Sequence, residues 1–306
     1  MMKHYNIPVF VPHKGCPNDC VFCNQKKITG ICEAETLGRA EEIIEEHLST
    51  MERPYFAEIA FFGGSFTGID LSLQKQYLKI AKRYVDMGKV DGIRLSTRPD
   101  YISEEILDML KSYGVTAVEL GAQSMDDTVL KKNRRGHTAD DTKKAIALLK
   151  EYGFETGLQM MTGMYGSDTE TDIFTGMEIA KLMPDTVRIY PTVVLSETEL
   201  ENLYKDGKYI PPSLEVSVDV CAALYRIFDE KKIKIIRMGL QSTDTICEKG
   251  SIVAGAYHSA FGELVKSRLL RDEMEEKVKA GERIIEVPKK AAFGFHRTEK
   301  DKYNIL

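Results

Sequence analysis

Short runs of β-branched and apolar residues recur along the chain at 7–12, 56–62, 92–97, 117–121, 155–161 and 187–195, with stretches of helical periodicity between them. Ile106, Met109, Leu110 and Tyr113 follow the i, i+3, i+4, i+7 spacing that lines one helix face, and Ala145, Leu148, Leu149 and Tyr152 repeat it. A glycine follows each stripe, Gly114 and Gly153, where a left-handed residue ends a helix before the next strand. The alternation predicts six β/α units. Parallel strands joined through helices take right-handed crossovers, so such units wind into an open doubly wound sheet or a curved, partly closed barrel; periodicity does not choose between them. A seventh apolar run, Ile233 to Leu240, follows a long helical segment from about Ser213 to Lys232 and suits an edge strand. From Ser251 onward the pattern reads as a helical tail with a polar terminus.

With 43% hydrophobic and 29% charged residues over 306 positions, the chain has the make-up of a globular protein that buries a substantial core. No linker, low-complexity tract or short repeat marks a separate second domain. No apolar run approaches the roughly 18–20 residues of a membrane span, and the amino terminus MMKHYNIPVF lacks the apolar stretch of a signal peptide. The expectation is a cytoplasmic protein with no membrane partner. A net charge of -5 supplies no global field that draws in nucleic acid, although a local basic face is compatible with it.

Six cysteines are too few for a disulfide scaffold in a chain of this length, and three of them, Cys16, Cys20 and Cys23, fall within eight positions of the segment GCPNDCVFC. That segment follows the first predicted strand, at the carboxyl end where parallel folds place their chemistry. Three thiolates can hold three irons of a cubane cluster and leave the fourth iron open to an external ligand. The same sulfurs, joined by Cys32 or His13, would instead make a closed tetrahedral zinc site. Cys32, Cys221 and Cys247 are too scattered to form a second local motif.

Further candidates sit at the ends of the other predicted strands. After the second, FFGGSFTG offers Gly63 and Gly64, which either let backbone groups approach a ligand or simply make a tight turn. After the third, Ser96 and Thr97 are hydroxyls at the same height and Arg98 is a candidate to meet an anion; turn chemistry before Pro99 is the alternative. In the fourth, Glu119, Gly121 and Gln123 share one face by the period of two, and in a lumen their polar groups need partners such as a ribose. The run KKNRRGHT concentrates four positive charges and a histidine, a pattern that most often marks a solvated face. Gln159 interrupts the apolar GLQMMTG. Arg188 and Tyr190 share a face on the sixth strand, where Pro191 ends regular pairing, and His258, Phe261 and Glu263 either cap the barrel or pack against it.

The Cys-x3-Cys-x2-Cys spacing, with the aromatic Phe22 and its place after the first strand of a β/α series, resembles the radical SAM superfamily over residues 6 to about 240. Within that superfamily, LSTRPDYI, VELGAQSMDDTVLKKNRRGHT and AGAYHSAFGELV resemble the radical SAM portion of the Elongator catalytic subunit and its prokaryotic relatives. The chain departs from that subunit by beginning almost directly at the first strand, without the basic amino-terminal extension, and by ending without the acetyltransferase domain. Those parts contribute to tRNA binding and acetyl-CoA use there.

The resemblance implies an α/β fold: a partial (β/α)6 TIM-type barrel of the radical SAM type over residues 1–240, with a C-terminal helical extension over 241–306 packed on it. It implies an enzyme that reductively cleaves S-adenosylmethionine at a 4Fe-4S cluster held by Cys16, Cys20 and Cys23, giving a 5'-deoxyadenosyl radical that abstracts hydrogen from a substrate, with tRNA or other RNA as the substrate class. The cofactor contacts expected with it are Phe22 in the cysteine loop, Gly63 and Gly64 for the methionyl amino group, Ser65 where an acidic residue often stands, Thr97 at the end of the third strand, Gln123 toward a ribose, Gln159 toward ribose or adenine, and Arg135 for the carboxylate. It assigns no catalytic residue beyond the cluster. An electron donor such as flavodoxin or ferredoxin is the implied partner, with RNA contacting Lys131, Lys132 and Arg134. Two rivals stay open: a small-molecule enzyme resembling anaerobic coproporphyrinogen oxidase, with an apolar substrate pocket, and a noncatalytic zinc-stabilised binding protein.

Overall fold

The computed structural model describes residues 3–11, 16, 20–24, 36–52, 54–241, 246, 248 and 250–281. Cys32, Cys247 and His13, named above as scattered cysteines or zinc ligands, lie outside these residues. Strands β1 (Lys3–Val11), β2 (Tyr55–Gly63), β3 (Gly92–Thr97), β4 (Val115–Gln123), β5 (Glu155–Thr162) and β6 (Thr186–Pro191) pair in parallel and in sequence order. β7 (Val193–Leu195) leaves this sheet and pairs antiparallel with β9 (Ile252–Gly255), while β8 (Lys234–Met238) joins β6 as the edge strand. Residues of β1 and of β8, the two edges, line the same cavity, so the sheet curls into the expected partial barrel rather than lying open.

Alternation along each strand sorts the two faces. Ile7, Val9, Ile59, Ile93, Leu95, Val118 and Leu120 are fully buried in the main hydrophobic core on the outer face. The helices on the sheet are α1 (Leu37–Ser49), α2 (Leu71–Asp86), α3 (Glu104–Ser112), α4 (Asp127–Lys132), α5 (Ala139–Glu151), α6 (Thr169–Leu182), α7 (Glu199–Lys205), α8 (Leu214–Glu230) and α9 (Phe261–Lys279). Their starts are set by side-chain oxygens: Asp70 accepts from the backbone of Ser72 and Leu73, and Thr138 with Asp141 forms a capping box at α5. α3 and α5 end at Tyr113 and Tyr152, with Gly114 and Gly153 left-handed at φ 80° and 70°, as the spacing predicts. No helix among the described residues is long and apolar enough to cross a membrane.

Two expectations need correction. The apolar run 187–195 is two strands, because Pro191 has no N–H with which to continue the ladder and the chain turns away after it. The tail from Ser251 begins with a strand before its helix: Ile252 and Val253 are β-branched, Ile252, Ala254 and Gly255 pair against β7 with Val253 at a register shift, and Ser196 donates its N–H to the Ser251 carbonyl at 2.9 Å.

The inner face is polar, and its base is closed by charge. Arg94 donates to Glu58 at 2.9 and 3.0 Å, to Glu119 at 3.2 Å and to Glu155 at 2.8 Å. Arg188 grips the other side of Glu119 at 2.6 and 3.1 Å, and His4 meets Glu58 at 2.9 Å. Burial alone would lower the pKa of Arg94, but the surrounding carboxylates outweigh it and raise it; Arg188 is raised by Glu119 in the same way. Gly157 makes room for this arrangement, since a Cβ there would lie 2.7 Å from Cγ of Glu119. Removing Glu119 leaves Arg188 without its carboxylate and takes one of three from Arg94, which keeps Glu58 and Glu155. Glu119→Leu is therefore expected to cost about 3–5 kcal/mol in chemical unfolding; a loss under about 1 kcal/mol would show that the network does not hold the sheet.

Candidate functional site

Above the charged base the curled sheet encloses a cavity of about 620 Å³. All eleven residues that the resemblance selects, the three cysteines and the eight cofactor contacts, line it. None of Cys16, Cys20 and Cys23 is in a disulfide. Among the described residues no three His, Cys, Asp or Glu side chains stand close enough to hold a metal ion in this arrangement, so the three thiols share the cavity wall without a closed ligand set.

The cysteine loop is pinned from two sides. Cys23 donates its N–H to the Cys20 carbonyl at 3.0 Å, closing a turn. Val21 donates to the Asn133 carbonyl at 3.4 Å, and its own carbonyl accepts from Leu200 at 2.7 Å. Val21 packs with Val194, Leu200 and Tyr209 in a second apolar cluster, against which Phe22 and Tyr165 rest. Asn133, itself buried, donates to the carbonyls of Val129 at 2.8 Å and Tyr165 at 2.9 Å, so the corner after α4 is rigid where it meets the loop.

That corner also delivers Arg135. Arg134 is left-handed at φ 55° and Gly136 at φ 75°, and between them Arg135 is turned inward. Its guanidinium donates to the Gly121 carbonyl at 2.8 Å and to the Cys20 sulfur at 3.3 Å. Close approach is possible because residue 121 is glycine: a Cβ would stand 2.9 Å from Nε2 of Gln123 and 3.4 Å from Arg135. Gln123 sits at an irregularity between β4 and β5 with φ 64°, and its Oε1 accepts from Gln159 at 3.3 Å, so the two amides face one another across the wall.

At the ends of β2 and β3 the hydroxyls are already engaged. Ser65 and Thr97 lie 2.8 Å apart, Thr67 and Thr97 2.5 Å apart, and Ser65 Oγ accepts from the Arg98 backbone at 3.1 Å. Arg98, read as a candidate for an external anion, instead grips Asp100 in its own turn at 2.7 and 2.9 Å. Glu119 has its oxygens on Arg94 and Arg188 rather than presented for a ribose. In the tail, Phe261 is buried, His258 accepts from the Ala260 backbone and Glu263 pairs with Lys266, which is packing rather than site chemistry. Sequence reasoning missed Arg237, Phe10, Phe62 and Met161, which also line the cavity. Only Arg237 carried a signal, as a charge inside an apolar run.

A profile of the radical SAM superfamily matches residues 10–173, and a profile of the radical SAM C-terminal domain matches residues 184–271. The tRNA uridine(34) acetyltransferase of Methanocaldococcus infernus is 32% identical over 231 residues, 68% of this chain and 42% of that protein. Its counterpart from Methanocaldococcus jannaschii is 32% identical over 228 residues, 68% of this chain and 41% of that protein. Elongator complex protein 3 of Schizosaccharomyces pombe is 30% identical over half of this chain and 31% of its own length. The chain thus spans well under half the length of these relatives. Among solved structures, an archaeal Methanocaldococcus infernus Elp3 with an N-terminal deletion superposes with TM-score 0.71 at 26% identity, covering 89% of this chain and 64% of that one. Coproporphyrinogen III oxidase of Escherichia coli shares the fold, with TM-score 0.54 at 17% identity over 75% of this chain and 52% of that one.

His137, two residues beyond Arg135, faces the Ala122 carbonyl at 3.1 Å. Burial, with the Arg135 charge adding to it, lowers its pKa from 6.5 to about 4. A histidine neutral in the fold and charged when unfolded contributes stability above pH 6.5 that is lost as pH falls toward 4, at most about 3 kcal/mol for this shift. His137→Gln keeps an N–H donor without the titration. Unfolding midpoints from pH 7 to pH 4.5 should fall more steeply for the wild type than for this variant; parallel profiles would refute the assignment.

Proposed function

The chain belongs to the radical SAM superfamily, and from that membership we propose that it is an RNA-modifying enzyme whose cofactors occupy the curled-sheet cavity. Members of the superfamily generally use a 4Fe-4S cluster and S-adenosylmethionine. The reading is carried by one observation: the cysteine loop, the glycine turn after β2, Thr97, Gln123, Gln159 and Arg135 come from separate parts of the chain and line a single chamber. The donor set fits the group. Three thiols face the chamber, and its described wall holds no fourth cysteine and no histidine, which suits a cluster with one open iron better than a closed zinc site.

In this reading Cys16, Cys20 and Cys23 hold the cluster, and backbone groups at Gly63 and Gly64 receive the methionyl amino end. Arg135, a guanidinium that reaches both the Cys20 sulfur and the chamber, meets the carboxylate. Gln123 and Gln159 offer amides to ribose or adenine, while Ser65 and Thr97 shape the wall through their mutual hydrogen bond. Phe22 packs the cysteine loop against the second apolar cluster. When bound, cluster and S-adenosylmethionine supply one-electron reductive cleavage and hydrogen abstraction, for which side chains have no equivalent. The protein's part is to orient and to exclude water: Phe10, Phe62, Met161 and Leu195 make the wall apolar between the polar groups. A one-electron donor of flavodoxin or ferredoxin type supplies the reductant.

RNA as substrate is supported by the names of the relatives and by the surface beside the chamber. Lys131, Lys132 and Arg134 are exposed, directly before Arg135, and the Arg134 carbonyl accepts from the Cys20 thiol at 4.0 Å. Phosphates held on this corner would lie next to the cysteine loop. After anaerobic reconstitution the chain is expected to carry about four irons and to form 5'-deoxyadenosine from S-adenosylmethionine with a strong reductant, whereas Cys20→Ala forms none. Stoichiometric zinc without cleavage would overturn the assignment. Binding of tRNA should weaken with salt, and the triple variant Lys131→Gln, Lys132→Gln, Arg134→Gln should reduce the log–log slope by about two to three. Absence of tRNA binding, with cleavage intact, would leave the small-molecule reading.

A further inference from the structure

The edge strand is bulged. Val187 pairs with Ile235 but Arg188 pairs with Arg237, so Ile236 is an extra residue in β8. In an unbroken ladder Arg188 would face Ile236, and Arg237 would fall opposite Ile189, whose side chain is buried in the outer core. The bulge turns Arg237 to the inner face instead, beside Arg188, where it lines the chamber.

The chamber's other guanidiniums are all engaged. Arg98 is held by Asp100, Arg188 by Glu119, and Arg135 by the Gly121 carbonyl and the Cys20 sulfur. Arg237 makes no hydrogen bond or ion pair with any described residue, and its Nε is buried without a partner. The described chamber wall offers one carboxylate, Glu119, whose two oxygens already accept from Arg94 and Arg188. Arg237 is partly buried, and its Nε, in a wall with Phe10, Phe62 and Leu240, is costly to leave without a partner.

We propose that Arg237 is the recognition point for an anionic group, a carboxylate or a phosphate, on the substrate that shares the chamber with the cofactors. The proposal rests on the reading above only in taking the chamber as the place of reaction, and it names the substrate chemistry that reading leaves open. Arg237 stands on the far edge of the sheet from β1 and the cysteine loop that follows it, while Arg135 is committed to the cysteine side, so the two guanidiniums serve different anions. The planar fork suits two oxygens of one group.

The test is calorimetric titration of the reconstituted chain, with S-adenosylmethionine present, using acetate, inorganic phosphate, uridine and uridine 5'-monophosphate as probes. Wild type should bind acetate or phosphate, and Arg237→Gln should weaken that binding by about tenfold or more, with Arg237→Lys in between. Affinity for S-adenosylmethionine should stay within about twofold, and thermal midpoints should hold or rise, because the variant removes a buried Nε that has no partner. A preference for the monophosphate over uridine assigns the anion to RNA; a preference for acetate assigns it to a small acid, and the proposal stands even if tRNA does not bind. Failure of wild type to bind any anionic probe, unchanged binding in Arg237→Gln, or an equal loss of S-adenosylmethionine affinity would each overturn it.

Discussion

Everything above the floor of the chamber depends on how a half-open barrel fills its base. A closed barrel packs its lumen with layers of apolar side chains; a sheet open between β1 and β8 has one side of that lumen missing. Here the gap is handled with charge. Arg94 and Arg188 hold Glu58, Glu119 and Glu155 across β2, β3, β4, β5 and β6, and His4 brings in β1. Buried charge of this kind is weak as a source of stability but strong as a constraint, since any register slip would strand a charge without its counter-ion.

A fixed floor frees the upper wall for chemistry. Polar groups alternate there with apolar ones such as Phe10, Phe62 and Met161, and the positions of the polar groups are set by backbone features: the left-handed Gln123 at a shifted register, the glycine at 121 and the bulge in β8. The cysteine loop is held by a different device, the buried Asn133 corner and the apolar cluster around Val21. Arg135 joins the two, touching Gly121 of the sheet and Cys20 of the loop. Arg135 thereby ties the position of Cys20 to that of the sheet.

Much of this was legible in the sequence. Strand positions followed from short β-branched runs, and the residues around the chamber were found because each lies at a strand end or just after it, where topology sends it to one rim. Roles that depend on distant partners were not legible. Glu119 looked available to a ligand until Arg94, 25 residues before it, and Arg188, 69 residues after it, claimed its oxygens. Thr97 and Ser65 stood at the right height, but 32 residues of sequence hide that they bond to each other. The break after Pro191 was readable; the departure of Val193 into a second sheet required knowing where Ile252 would lie. Arg237 showed only as a charge in an apolar run; its place in the chamber was hidden, because one extra residue decides which face it takes.

Net charge was the least informative number, for a reason the structure makes clear. The chain carries -5 overall, yet four guanidiniums and a single carboxylate line the described chamber. The acidic excess lies elsewhere: Glu42, Glu45 and Glu46 lie on the exposed face of α1, where Arg39 and Lys89 answer them in screened surface pairs. Such pairs set the isoelectric point and contribute little to the chamber's field, because interactions between exposed charges fade within a Debye length of about 8 Å at physiological salt. Inside the curled sheet, low polarisability keeps the guanidiniums effective. A substrate that is anionic where it meets β8 is thus compatible with an acidic protein, and the argument from isoelectric point against such substrates applies to the outer surface alone.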